Sequence, residues 1–207
     1  MISLVLSSAE NTDFIREVLA KNDGFASEGK GTTGGTQAVQ KNIFKVTNKK
    51  EFVAALGNRK NAEPKILMIY GTIDFDTDDN GKTLKMEDYM AKGYDFQKYL
   101  ETHASQSSAS KSLKEDQEAK RGQSQKNQSK SITVHVPANT SIIGIENAKL
   151  KGVDLVLDSN NIIIKNIGFN PFTINLNGTF EVLTTPNRHS AAKANPKNVL
   201  NMNSVIM

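Results

Sequence analysis

Two apolar runs rich in β-branched residues, Ser141-Ile-Ile-Gly-Ile145 and Asn161-Ile-Ile-Ile-Lys-Asn-Ile-Gly-Phe169, have their first isoleucines 20 residues apart. Short apolar runs bounded by turn residues read as buried strands, and a period of about 20 residues is the length of one coil of a β-solenoid. In a solenoid each apolar side chain lies on one from the coil below, while parallel pairing satisfies the backbone. Ile132-Thr-Val-His-Val136 and Asp154-Leu-Val-Leu157 supply further strands of the same kind. A sandwich of short strands gives similar spacing, so spacing alone leaves both architectures open.

Upstream, a Gly/Thr-rich loop precedes a strand-like Asn42-Ile-Phe-Lys-Val46 and a short amphipathic helix over Lys50-Glu-Phe-Val-Ala-Ala-Leu56. Asn48 is placed to cap that helix and Gly57 to stop it. Pro64-Lys-Ile-Leu-Met-Ile-Tyr70 is a continuous apolar strand of the type buried on both faces. From Asp76 to about Ser131 the chain turns polar. This stretch reads as a long excursion from the core, helical around Leu113 to Gln125, or as a linker between two domains. Met1-Ile-Ser-Leu-Val-Leu-Ser-Ser-Ala9 ends in small residues but lacks a basic start. It reads as the stub of a signal peptide or as a first strand.

Composition removes several function classes. With no Cys, disulfide frameworks, thiolate nucleophiles and Cys-based zinc sites are out. At 37% hydrophobic residues the chain can bury a core but holds no apolar run of membrane-spanning length. The net charge of +4 sits in the tail: from Ser159 onward four basic residues, Lys165, Arg188, Lys193 and Lys197, face one acidic residue, Glu181. The rest is nearly neutral and has no basic stripe interleaved with aromatics, so neither a nucleic-acid nor a membrane partner is expected.

Gly29-Lys-Gly31-Thr-Thr-Gly34 matches the dinucleotide fingerprint in spelling. The segment before it is polar rather than a buried strand, and no nucleotide site is expected. Asp76-Thr-Asp78-Asp-Asn80-Gly81, followed by Glu87, fits the calcium-loop pattern of an EF-hand. A strand ending in Gly71 precedes it in place of a helix, and Thr83 takes the usual aliphatic position, so a solvated acidic turn is expected. His103, His135 and His189 stand apart without ligand spacing, His135 on the polar side of a strand. No nucleophile elbow occurs. The residues alone nominate no catalytic, cofactor-binding or metal-binding residue.

Several segments together resemble the opening of extracellular bacterial pectate lyases, in the family's order. They are Phe25-Ala-Ser-Glu-Gly-Lys-Gly-Thr-Thr-Gly-Gly35, Phe44 to Leu56, Pro64 to Asp74, Val136-Pro-Ala-Asn-Thr-Ser-Ile-Ile-Gly144, Ala148-Lys-Leu-Lys-Gly152 and Asn161 to Phe169. Ser124-Gln-Lys-Asn-Gln128 resembles the insertion of Bacillus-type members. The resemblance implies an all-β fold, a right-handed parallel β-helix present here in its first coils only, with an amino-terminal capping helix at Lys50–Leu56 and a polar, partly helical insertion. It places Ser141–Ile145 and Ile162–Ile167 on neighbouring parallel strands, with Ile143 or Ile145 near Ile163 or Ile167. Turns such as Ser159-Asn-Asn161 would let Asn side chains stack between coils. Also implied are secretion, polygalacturonate as substrate, and calcium-dependent β-elimination in which an Arg takes the C5 proton.

The resemblance stops after Phe169. The family's Trp-Asp segment, calcium-binding Asp residues, Trp-Ile-Asp-His strand and Arg-Ala-Pro-Arg motif are all missing from this sequence. It has no Trp, and its tail offers only Glu181 and an Arg188 followed by His189. The expectation is a divergent tail over 170–207 after a lyase-like part over 23–169 with its insertion at about 76–131, and an amino-terminal arm over 1–22. The tail reads as a truncation or a frame-shifted ending. It would leave the last coil's edge unpaired unless a hairpin through Asn177-Gly178, within Asn175 to Thr185, partly covers that end. The chain is expected to be catalytically incomplete, with no calcium at a catalytic site. The alternatives are a lyase completed by a second chain and a polysaccharide-binding module.

Overall fold

The computed structural model describes residues 12–22, 25–104, 106–157, 159–170 and 199–202. The signal-like segment Met1–Ala9, the Asn177-Gly178 hairpin, Glu181, Arg188 and His189 lie outside them. The larger sheet consists of parallel strands in the order β1 (Ile43–Val46), β2 (Lys65–Asp74), β4 (Thr140–Lys151), β6 (Ile162–Lys165) and β8 (Val199–Met202), with β7 (Gly168–Asn170) paired to the second half of β4. A smaller parallel sheet pairs β3 (Thr133–His135) with β5 (Asp154–Val156). Two successive turns of the chain, β3–β4 and β5–β6–β7, therefore lie strand on strand.

The register corrects the 20-residue spacing. Thr140 faces Ile162, Ile142 faces Ile164, and Ile143 faces Lys165, so one turn of chain is 22 residues long here. Asn139 and Asn161 hold the positions just before the two strands, both in the left-handed backbone region. The Asn161 Nδ2 donates to Asn139 Oδ1 at 2.8 Å. This rung aligns the turns, so the register is counted from the asparagines rather than from the first apolar residue of each run. The expected stacking between coils is thus real, but Ile163 lies across from Ser141 and not from Ile143. Because 22 is even, residues paired between the two strands point to the same side, Ile142 and Ile164 into the main core and Ile143 and Lys165 away from it.

The inward face builds the main core: Leu67 and Ile69 of β2, Ile142 and Leu150 of β4, and Ile162 and Ile164 of β6 are all buried in one cluster. Each such side chain contributes about 1.5–3 kcal/mol on leaving water. The helix α2 (Lys49–Leu56) adds Phe52, Ala55 and Leu56 to this core, with Phe52 edge-on to Phe75 at 5.2 Å. Its start is the one read from sequence: Asn48 Oδ1 accepts from the Glu51 N–H, and Glu51 returns by accepting from the Thr47 N–H. The helix ends at Gly57, with φ 65°. Lys65 donates from its buried ammonium to the Leu56 carbonyl, satisfying one of that helix's free carbonyls.

The outward face is also apolar, which a free solenoid face would not be. An amino-terminal arm covers it: Ile15, from the short helix α1 (Thr12–Arg16), and Ala38 pack with Ile66, Met68 and Ile143. Arg16 donates to the carbonyls of Thr36 and Ala38. Lys165 reaches outward to the Phe14 carbonyl, to Glu17 at 3.0 Å and over the Phe14 ring. At the crossing a Cβ on Gly35 would sit 1.9 Å from the Lys65 carbonyl oxygen, so only glycine allows this approach.

Residues between β2 and β3 form a helical insertion with α3 (Met86–Tyr89), α4 (Phe96–His103) and α5 (Lys111–Ile132). The last helix exceeds the expected Leu113–Gln125 because its buried face is polar: Gln117, Ser124 and Gln128 line it ahead of Ile132. Polar side chains of this helix bind main chain. Ser124 Oγ accepts from the Ala91 N–H, Gln117 Oε1 from the Asp95 N–H, and Asn127 donates to the Tyr89 carbonyl. Hydrophobic periodicity is blind to a helix that docks this way.

The tail departs from expectation in one respect. Val199–Met202 pairs in parallel with β6, Ile162 facing Val199, so the edge of β6 is not open. At the same end Phe169 stands in core register with Leu150 yet is 43% exposed.

Candidate functional site

A cluster of charged groups drawn from distant parts of the chain lies where β2 leaves the sheet. Strand register sets Asp74 beside Lys151 of β4, and their side chains pair at 2.7 Å. The chain then turns. Asp74 accepts from the Asp76 N–H at 2.9 Å, and Asp76, buried, accepts from the Tyr89 hydroxyl at 3.3 Å. Lys49, at the start of α2, donates to the carbonyls of Phe75 and Thr77 and to Ser131 Oγ at the far end of α5. One cluster thus draws on the coil, the end helix and both ends of the insertion.

Its electrostatics follow from burial. Desolvation, with the Asp74 charge adding to it, pushes the Asp76 carboxyl above the usual carboxylate range. Burial pulls Lys49 down against the attraction of the surrounding aspartates. Lys151 is raised by its hydrogen bond to Asp74. Tyr89 is pushed up to about 12, chiefly by burial, and so stays a neutral donor. Every donor of the Lys49 ammonium has a protein acceptor. Its geometry ties the insertion to β2, β4 and α2.

The EF-hand-like residues do not converge. Asp78 folds its carboxylate onto its own turn, accepting from the N–H groups of Asn80 and Lys82 at 2.9 Å each, while Asp76 points inward to Tyr89. Thr77 and Thr83 bridge antiparallel across a tight turn with Gly81 at φ 81°. Among the described residues no three His, Asp or Glu side chains gather at metal distance. Gly29, Gly31 and Gly34 follow a 3-10 turn at Phe25–Ser27 rather than a strand, and the Gly34 N–H points to Asn161 Oδ1 at 2.8 Å. Their work is to seat the arm.

His103 ends α4, its ring 4.2 Å from that of Tyr99, and lines a shallow hollow of about 440 Å³ with Lys114, Glu115 and Glu118. His135 lies on β3. A second hollow of about 150 Å³ opens beside Lys65 and the end of α2. No helix of the described residues is long and apolar enough to cross a membrane. Sequence reasoning missed the Lys49–Asp74–Asp76–Lys151 cluster, whose only linear signal is the alternation of Asp74, Asp76 and Asp78 after an apolar strand.

Comparison with known proteins adds what this geometry does not. No family model matches the chain. Over 169 residues, 81% of its length, it is 40% identical to the pectate lyase of Bacillus subtilis (strain 168), of which it spans 40%. It is 30% identical over 149 residues to pectate lyase A of Dickeya chrysanthemi, spanning 27% of that protein. A solved pectate lyase bound to a hexasaccharide superimposes with a TM-score of 0.69 at 41% identity, over 76% of this chain and 40% of the other. Sequence and fold agree: over most of its length the chain is similar to a part, about two fifths, of pectate lyases of the Bacillus type.

Proposed function

We propose that this chain carries the first coils of a right-handed parallel β-helix, closed at the amino end by α2, and that it is a pectate lyase-like protein that does not itself cleave polygalacturonate. Residues 23–169 form the lyase-like part, with the insertion at about 76–131, and 170–207 the divergent tail. Secretion and recognition of pectin are carried over from the lyase resemblance. Eliminating across a uronate needs cationic stabilisation of the enolate-like intermediate and a base at C5. Losing either commonly costs about 10²-fold or more in rate. The observation that carries the reading is that the half-buried Asp74 and the buried Asp76, the carboxylates brought together here, are already held by Lys151 and Tyr89. Purified chain on polygalacturonate at alkaline pH is expected to give no chelator-sensitive rise in ultraviolet absorbance from unsaturated products. A robust rise that chelator abolishes overturns it.

A second reading, a lyase completed by a separate chain, is favoured by Phe169, an apolar side chain in core register left largely exposed. Mixing with the remaining part of the Bacillus subtilis lyase, expressed separately, tests it. Chelator-sensitive activity in the mixture alone supports completion, and inactivity of the mixture removes it. A non-catalytic wall-polysaccharide binding module predicts retention on polygalacturonate without cleavage.

A further inference from the structure

The turn that opens the insertion carries an exposed asparagine, Asn80, directly before a glycine. The side chains of Asn48, Asn58, Asn61, Asn139, Asn161 and Asn166 are each held by a hydrogen bond to main chain or to a neighbouring side chain. That of Asn80 is exposed and takes no partner; only its main-chain N–H is used, donating to Asp78 Oδ1. The residue after Asn80 is Gly81, where a Cβ would meet nothing within 4 Å, so no side chain screens its nitrogen. The Gly81 N–H is tied only to the Asp78 carbonyl at 3.0 Å, in an exposed turn.

We propose that Asn80 is a site of self-modification, converting through a cyclic imide to aspartate and isoaspartate. A base removes the Gly81 amide proton, and the nitrogen attacks Asn80 Cγ. The new N–Cγ bond forms as the Cγ–Nδ2 bond breaks, and the side-chain nitrogen leaves as ammonia after taking a proton from water. One water then opens the imide. Cleavage of the N–Cγ bond gives aspartate, and cleavage at the main-chain carbonyl gives isoaspartate. The net reaction consumes water, releases ammonia and involves no oxidant or reductant. Asn-Gly is the pair in which the neighbour least obstructs ring closure, and Asn is among the thermolabile residues.

The two products act differently on the turn. Aspartate adds a third carboxylate beside Asp78 and Asp79. Isoaspartate lengthens the main chain by one methylene between residues 80 and 81. The Asp78 N–H to Lys82 carbonyl bond of 2.9 Å and the Thr77–Thr83 bridge depend on the number of backbone atoms in the turn, and both are lost. The adjoining Leu84 N–H to Asp76 carbonyl bond at 2.7 Å, which closes the base of the insertion, then stands unsupported. Modification therefore loosens the insertion where it joins the coil.

The test is timed incubation of the purified full chain at mildly alkaline pH, followed by peptide mapping with mass spectrometry. Asn80 is followed against Asn58 and Asn61 in the same digest, and the map separates the second Asn-Gly pair, Asn177-Gly178. Asn80 is expected to convert at least about tenfold faster than Asn58 or Asn61, a barrier difference of about 1.4 kcal/mol. Isoaspartate should appear as an early-eluting isomer, and the rate should climb with pH. Asn80→Gln, whose longer side chain closes a ring poorly, should stop conversion there while retaining the parent's circular dichroism. Partly converted protein should be nicked by protease within 77–84 faster than this variant. Conversion of Asn58 or Asn61 as fast as Asn80, or retention of the Asn80 amide throughout, overturns the proposal.

Discussion

Replacing Asn161 by alanine tests whether the side chain between coils is the device that sets register and seats the arm. Asn161 Oδ1 accepts from the main-chain N–H groups of Thr33 and Gly34 at 2.7 and 2.8 Å, and its Nδ2 donates to Asn139 Oδ1. Its backbone holds φ 59°. Alanine at such a φ costs about 1 kcal/mol or more. Two half-buried N–H groups lose their acceptor, at about 1 kcal/mol each, and the loss of the Asn139 pairing adds somewhat less. The expected total is about 4 kcal/mol, a large part of the roughly 5–15 kcal/mol typical of a domain. Asn161→Gly removes the same hydrogen bonds but accepts the left-handed backbone, so it should be less destabilising by about 1 kcal/mol. Urea unfolding followed by circular dichroism gives both numbers, and hydrogen exchange at Thr33 and Gly34 reads the local effect. If Asn161→Ala stays within about 0.5 kcal/mol of the parent, the ordinary range for a surface change, and those two amides keep their protection, the reasoning fails.

Gly35→Ala should lower stability by about 3 kcal/mol, because the added methyl meets the Lys65 main-chain oxygen and not a side chain that can swing away; a melting temperature equal to the parent's would show that the arm does not press on β2 there. For Asp76, burial raises the folded carboxyl above its unfolded value, so the folded chain binds that proton more tightly. Its contribution is fully present below the ordinary carboxylate range and is lost as pH rises from there through the raised value. Asp76→Asn should therefore flatten the stability–pH curve across that window, measured by urea melts over a pH series, and an unchanged slope would assign the effect elsewhere.

Much of the coil was legible in the linear chain because its signals are local. The β-branched runs at Ile142 and Ile162, the Asn48 cap with Glu51, and the Gly57 stop depend on residues within a turn or two of each other, and strands and helix appear where those signals place them. The long polar helix α5 was read too short, since Gln117 and Ser124 on its buried face bind main-chain groups more than 20 residues away.

What the sequence by itself determined was kinship, strand identity and the lack of the lyase family's Trp-Asp and Arg-Ala-Pro-Arg motifs. Three features were decided only in the tertiary structure. The 22-residue register depends on an Asn161–Asn139 contact that spacing of apolar residues does not encode. The double glycine at Gly34-Gly35 reads only as part of a Gly/Thr-rich loop until the sheet surface at Ser141 and Lys65 is against it. The Lys49–Asp74–Asp76–Lys151 cluster unites residues about a hundred positions apart, and the burial that shifts Asp76 upward exists only once the insertion has folded over it. Backbone pairing and capping act along the chain, whereas desolvation and close approach act between surfaces, and surfaces belong to the folded molecule.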